Sequence, residues 1–277
     1  MGNSTANSSK TSIEKPTFEW KEFFPDARLV YIRSLEEADL EVSRLDSLHP
    51  DVVVGLDLEW RSNDRKGEPE KRVALIQIGC EDTILLIQIS AMQAFPDKLR
   101  QYLESPQKVK VGVGIQYDCK KLFRDYQLSV RSCIDLSLLA RSVDSRWKGP
   151  FRNPIGLSRL TETYLDRSLA KGLVTRSNWE AALSEPQLDY AANDCQSSLL
   201  ICYKLIAREI VTEPPPEPDF YTFDVIRGVL RDAFGRPWFP LNPFYDPGPP
   251  PPRPIPKETK DGEPATARRA GVTRKKD

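Results

Sequence analysis

Two carboxylates, Asp57 and Glu59, stand two residues apart at the end of VVVGLDL, residues 52–58, an apolar and β-branched run. In an extended strand this spacing sends both side chains to one face, roughly 6–7 Å apart along the chain. Two like charges beside a buried strand are costly unless a counter-charge meets them. Magnesium or manganese, which prefer carboxylate oxygens, would supply it. Hydration at a strand end would also serve the pair, and D-x-E is a common triplet, so the pair alone does not establish a metal site.

A second element is GVGIQYDCKKLFRDY, residues 112–126, in which a strand ends in two glycines and Asp118 begins a helix. An aspartate there is an ordinary helix cap, worth about 1 kcal/mol. The glycines also thin the backbone, which suits a place where a substrate or metal approaches closely. A third is LDYAANDCQSSLLICYKL, residues 188–205, a helical stretch that sets Tyr190 and Asp194 four apart on one face, beside an apolar stripe of Ala191, Cys195, Leu199 and Cys202. A structural hydrogen bond or a working pair would both fit.

In their order and spacing these elements resemble the DnaQ-like 3′-5′ exonuclease superfamily, in the branch with tyrosine in its last motif (DEDDy). The resemblance is closer to RNase D and the Werner exonuclease domain. Four stretches carry it: DLEW at 57–60 with VALIQI at 73–78, GVGIQYDCKKL at 112–122, GLSRL and SNW at 156–160 and 177–179, and YAANDC at 190–195. It covers residues 30 to 210 and implies an RNase H-like α/β fold, a mixed central sheet with flanking helices. It implies a catalytic set of Asp57, Glu59, Asp118, Tyr190 and Asp194, whose four carboxylates bind two divalent cations, Mg2+ or Mn2+. The implied reaction is hydrolysis from the 3′ end of RNA or DNA, releasing nucleoside 5′-monophosphates. Lys171, Arg176, Ser177 and Trp179 resemble the family's K…S-x-W stretch and would contact the phosphate backbone or stack on a base; a helix cap and a core tryptophan are the plain alternative. A catalytically inactive scaffold of the same fold would lack a carboxylate, and here none is missing.

The elements that must position these residues are legible in part. Residues 52–58, 73–78 and 83–89 read as strands joined by short turns, 96–104 as a helix, 109–113 as a strand, 119–125 as a helix and 133–135 as a short strand, with mainly helical sequence to residue 210. A meander followed by alternating helices and strands implies a mixed sheet covered by helices. The exonuclease domain is expected over residues 17–212. Residues 1–16, small and polar, are expected to be disordered.

Fifteen of the 24 prolines lie after residue 210, so residues 213–277 read as a Pro-rich, partly disordered tail with a basic end, open to a protein partner. Within it, residues 220–244 show helical spacing among several aromatics.

Lysine plus arginine equals aspartate plus glutamate at 40 each, so no overall positive field announces nucleic acid. Five scattered cysteines and a single histidine, His49, argue against a zinc site and for free thiols in a reducing compartment. Without a secretory signal or a run long enough to span a bilayer, the expectation is an intracellular soluble protein of nucleus or cytoplasm, with no membrane partner.

Overall fold

The computed structural model describes residues 15–63, 67–170 and 172–250. Along these the chain forms α1 (Trp20–Phe23), β1 (Arg28–Ile32), α2 (Leu35–Leu48), β2 (Val53–Glu59), β3 (Leu75–Gly79), β4 (Thr83–Gln88), α3 (Asp97–Glu104), β5 (Val109–Gly112), α4 (Ile115–Tyr126), β6 (Cys133–Asp135), α5 (Leu136–Val143), α6 (Leu157–Tyr164), α7 (Glu185–Glu209), β7 (Thr222–Ile226) and β8 (Val229–Arg231). The strands join one mixed sheet in the order β1-β4-β3-β2-β5-β6-β7-β8. The meander β2-β3-β4 is antiparallel, whereas β5 runs parallel to β2 and β6 parallel to β5. Strands β3 and β4 are buried at every position, which is why their sequences are apolar without alternation.

The sheet is wider than the sequence suggested. Strand β1, read as no particular element, pairs in parallel with β4. At the other edge the segment with apparent helical spacing is a hairpin. Strand β7 pairs with β6, and β8 with β7. The two linking residues, Arg227 and Gly228, both have positive φ, 51° and 75°, as a two-residue hairpin turn that follows the twist of its strands requires. A helix cannot pass through them.

The folded unit therefore does not end at residue 212. Phe220, Tyr221, Phe223, Val225 and Trp238 are all buried. The Trp238 ring lies 4.7 Å from Phe223, and its indole N–H donates to the Asp219 carbonyl at 2.6 Å. Tyr245 closes the segment on α5: its hydroxyl donates to the Trp147 carbonyl at 2.6 Å and accepts from Arg141 at 2.7 Å. At the other end Lys15 and Pro16 are held as well, since the Ser168 amide donates to the Pro16 carbonyl at 2.9 Å and Phe18 is fully buried. Residues 1–14 and the basic end of the tail, 251–277, lie outside the described residues. No helix among the described residues is long and apolar enough to cross a membrane.

Trp238→Ala is a direct test of this boundary. Removing a buried indole from a packed core costs about 3–5 kcal/mol, so urea or thermal unfolding of the whole domain should shift accordingly. An unshifted transition would mean that residues 213–250 are a linker rather than part of the fold.

Candidate active site

The site begins with a glycine pair. Gly55 of β2 and Gly79 of β3 are register partners, and helix α7 runs directly over them. A Cβ built on Gly55 would stand 1.9 Å from the Cys195 carbonyl oxygen, and one on Gly79 would stand 2.9 Å from the Cys195 sulfur. No side chain fits at Gly55, so helix backbone meets sheet backbone. Gly55, Asp57 and Glu59 share a face of β2 by alternation. The close crossing at Cys195 consequently sets Asp194 beside the two acids of the strand.

One carboxylate oxygen from each of Asp57, Glu59 and Asp194 lies within 4.8 Å of the others. Asp194 is 6% exposed, and the two strand acids are half-buried. Among the described residues no lysine or arginine forms an ion pair with any of the three. Asp118 approaches from α4 and stands outside this tight group, though its charge reaches Glu59. It is not the helix cap that the sequence suggested. Helix α4 starts at Ile115, with Gly114 as N-cap in the left-handed region at φ 70°, so Asp118 is the fourth helical residue. The cap explanation for this aspartate is thereby removed.

The electrostatics record the crowding. Burial, opposed by a hydrogen bond from the Leu58 amide, pushes Asp57 up to about 6 from an ordinary 3.8. Burial, and then the charges of Asp57, Asp194 and Asp118, push Glu59 up to about 10. Asp118 is raised well above the usual range by burial, then by Asp57, Asp135 and Glu70, with Lys121 opposing. Asp194 is raised by burial and by Asp57, against a hydrogen bond from Tyr190. Tyr190, whose hydroxyl makes that bond, is raised far above its ordinary 10 by burial and by Asp194 and Glu59. Its proton stays on. Such a set of buried oxygen ligands short of positive charge has the donor chemistry of a magnesium or manganese site.

The remaining expected contact residues fare differently. Trp179 is fully buried, with its ring 6.0 Å from that of Tyr190, and its carbonyl accepts the Gln88 side-chain amide at 2.9 Å. It supports Tyr190 and offers no free face for a base, so the stacking role is overturned by its packing. The Ser177 hydroxyl donates to the Val174 carbonyl at 2.7 Å and accepts from Gln187 at 3.0 Å; Gln187 in turn completes the capping box of α7 with Ser184. Arg176 is exposed, and Lys171 lies outside the described residues.

Two residues near the acids were not anticipated. Gln77 is the register partner of Asp57, fully buried on the face that α7 covers, and neither atom of its amide has a partner. The signal was a glutamine in the apolar string VALIQI. Lys121, 2% exposed, pairs with Asp125 at 3.1 Å and Glu70 at 3.3 Å, donates to the Lys71 carbonyl at 2.6 Å and stands 4.7 Å over the Trp60 ring. It fastens the far end of the charged segment 61–72 to α4, of which residues 64–66 lie outside the described residues.

Two acids on the central strand β2, one on α4 and one beside a tyrosine on the crossing helix α7 together form a carboxylate donor set suited to divalent cations. The chain belongs to the 3′-5′ exonuclease family, whose model matches residues 30–208. It is 34% identical over 183 residues to a 3′-5′ exonuclease of Arabidopsis thaliana, covering 62% of this chain and 61% of that one. It is 32% identical over 210 residues to exonuclease 3′-5′ domain-containing protein 2 of Homo sapiens, covering 73% of this chain and 33% of the relative. The chain thus spans less than two thirds of the length of either relative. In fold it is similar to Escherichia coli RNase D, with a TM-score of 0.54 at 23% identity over 65% of this chain and 45% of that one.

Gly55→Ala should cost about 1–3 kcal/mol, because the new methyl forces α7 off the sheet, and should lower nuclease turnover by removing Asp194 from Asp57. Denaturant unfolding and a single-turnover assay would read the two effects, and unchanged values for both would show that the crossing tolerates a side chain. A second expectation concerns pH. The folded values of Asp57 and Glu59 lie above their ordinary 3.8 and 4.5, so the protonated carboxyls stabilise the metal-free fold below about pH 4, and that stability is lost as pH rises toward the folded values. Glu59→Gln should therefore raise the melting temperature of the chelator-treated protein at pH 8 and flatten its fall between pH 5 and 9. A lower melting temperature for the variant at pH 8 would contradict the electrostatic account.

Proposed function

We propose that this chain is a metal-dependent exonuclease that hydrolyses phosphodiester bonds from the 3′ end of RNA or DNA and releases nucleoside 5′-monophosphates. The observation that carries the reading is the convergence of half-buried Asp57 and Glu59 with buried Asp194 within 4.8 Å, without an ion-pair partner among the described residues. Asp57, Glu59 and Asp194 would hold one divalent cation, and Asp57 with Asp118 a second; that Asp118 stands apart from the tight cluster supports this division. Bound there, the cations supply charge stabilisation at the phosphate and a lowered pKa for the attacking water.

The chain's own groups do the rest. The carboxylates would fix where positive charge sits, and the backbone crossing at Gly55 fixes three of them, Asp57, Glu59 and Asp194. Tyr190 keeps its proton, so it cannot act as general base at neutral pH; its hydroxyl donates, to Asp194 in this structure and to an attacking water or phosphate oxygen when substrate is present. Arg176, exposed ahead of α7, would meet backbone phosphates.

The test is shortening of matched 5′-labelled RNA and DNA oligonucleotides in Mg2+ or Mn2+. Asp57→Ala should reduce activity to background. Tyr190→Phe should lose about tenfold or less, since an essential general base would cost about 10² to 10⁴. Equal residual activity in the two variants would overturn the division of roles. Intact oligonucleotides with wild-type protein under every metal condition would overturn the nuclease reading itself.

A further inference from the structure

Far from the exonuclease acids along β2, three different metal-binding side chains converge. His49 ends α2, where its backbone amide caps the helix by donating to the Leu45 carbonyl at 3.0 Å. Cys80 and Asp82 lie in the turn between β3 and β4, a turn held by the Cys80 amide donating to the Thr83 carbonyl at 2.9 Å. His49 Nε2 lies 3.0 Å from Asp82 Oδ2, and Cys80 Sγ lies 3.3 Å from Asp82 Oδ1. One donor atom from each of the three lies within 4.8 Å of the other two. A surface cavity of about 390 Å³ opens beside them and is also lined by Glu81 and Tyr203. From Val53, which lines it, to Asp57 is roughly 13 Å of strand.

We propose that His49, Cys80 and Asp82 form a second metal site, selective for Zn2+ and separate from the magnesium or manganese centre. The argument is chemical. Thiolate and imidazole are ligands that zinc takes and that magnesium and manganese pass over, whereas the exonuclease acids offer oxygen alone. Zinc bonds of about 2.0–2.3 Å to N, O and S place tetrahedral ligands roughly 3.3–3.8 Å apart. The contacts at 3.0 and 3.3 Å reach different oxygens of Asp82, and with all three donors within 4.8 Å an ion would be admitted by small side-chain rotations. Three protein ligands leave a fourth position, and the cavity gives it to water or to Glu81.

Two of the ligands sit on a turn that the sheet fixes, and the third on a helix end, so the arrangement is held without the ion. Asp82 Oδ1 also accepts from the Thr83 hydroxyl at 2.9 Å, which holds its carboxylate in place. Behind the site, the Cys80 carbonyl accepts the Gln196 side-chain amide at 2.7 Å, and Gln196 lies two residues beyond Asp194 on α7. A bound ion would pin the end of α2 to the turn beneath α7 and stabilise the fold by mass action. Zinc would therefore act on stability, with its site remote from the hydrolytic chemistry.

The experiment is a titration of the chelator-treated full chain with Co2+ as a spectroscopic stand-in for zinc, in excess Mg2+ to occupy the oxygen-only centre. The expected result is a thiolate-to-cobalt charge-transfer band that saturates at one equivalent per chain, is bleached by Zn2+, is absent in Cys80→Ala and is weakened or lost in His49→Gln. Circular dichroism checks that each variant is folded; His49 is partly exposed, so His49→Gln stands as a second probe should Cys80→Ala fail to fold. Zn2+ should also raise the melting temperature of the wild type and not of His49→Gln. No charge-transfer band in the wild type, or one unchanged in His49→Gln, would overturn the site and leave an ion pair beside a buried thiol.

Discussion

The contact on which the rest of this molecule depends is between two stretches of backbone. Helix α7 lies so close on β2 that the Cys195 carbonyl occupies the space of a side chain at Gly55. Three of the four acids are fixed by that one crossing, two on the strand and one on the helix. The contact also keeps the neighbouring Cys195 and Gln196 fully buried. A rigid seat of this kind is what allows like charges to be held together: were the helix free to retreat, repulsion among Asp57, Glu59 and Asp194 would drive it off. The apolar interior built from β3, β4 and α7 supplies the stability that the acids remove.

The two clusters of metal-ligating side chains in the fold illustrate how donor type partitions chemistry. At the exonuclease centre every donor is a carboxylate, burial raises each of them, and the arrangement calls for hard cations. At the opposite end of the same strands a carboxylate is joined by a thiol and an imidazole. The other four cysteines are buried thiols; Cys119 and Cys133 meet each other at 3.6 Å within the core, and Cys133 also donates to the Arg131 carbonyl at 3.7 Å.

Much of this was legible in the sequence, and the parts that were not have physical reasons. The D-x-E strand and the Y-x-x-x-D helix were readable because their periods, two and near four, place the residues that matter on one face. The β3–β4 hairpin was readable from two apolar strings joined by a short turn. Asp118 looked like a cap because glycines preceded it, yet the left-handed Gly114 lets α4 begin a full turn earlier. In residues 222–226 the alternation that marks a strand was present, with Phe223 and Val225 buried and their neighbours less so. It was masked by apolar residues that continue through the Arg227–Gly228 turn. Trp179 was ambiguous because an aromatic near a catalytic motif can stack on a base or fill the core, and only packing decides. The meeting of His49 with Cys80 and Asp82 had no local signature at all, since it joins positions more than thirty residues apart.

The hairpin at the C-terminal side adds something to the site that its distance from the acids conceals. A Cβ on Gly228 would meet the Phe123 ring at 2.7 Å, so the turn is seated on α4, and the Arg227 amide is tied to Ser129 just beyond that helix. Helix α4 is the one that carries Asp118. The four acids accordingly do not rest on one support: three are clamped by sheet and α7, and the fourth rides on a helix braced by residues 213–250. Asp118 is thus the one acid of the four whose supporting helix also carries the C-terminal hairpin.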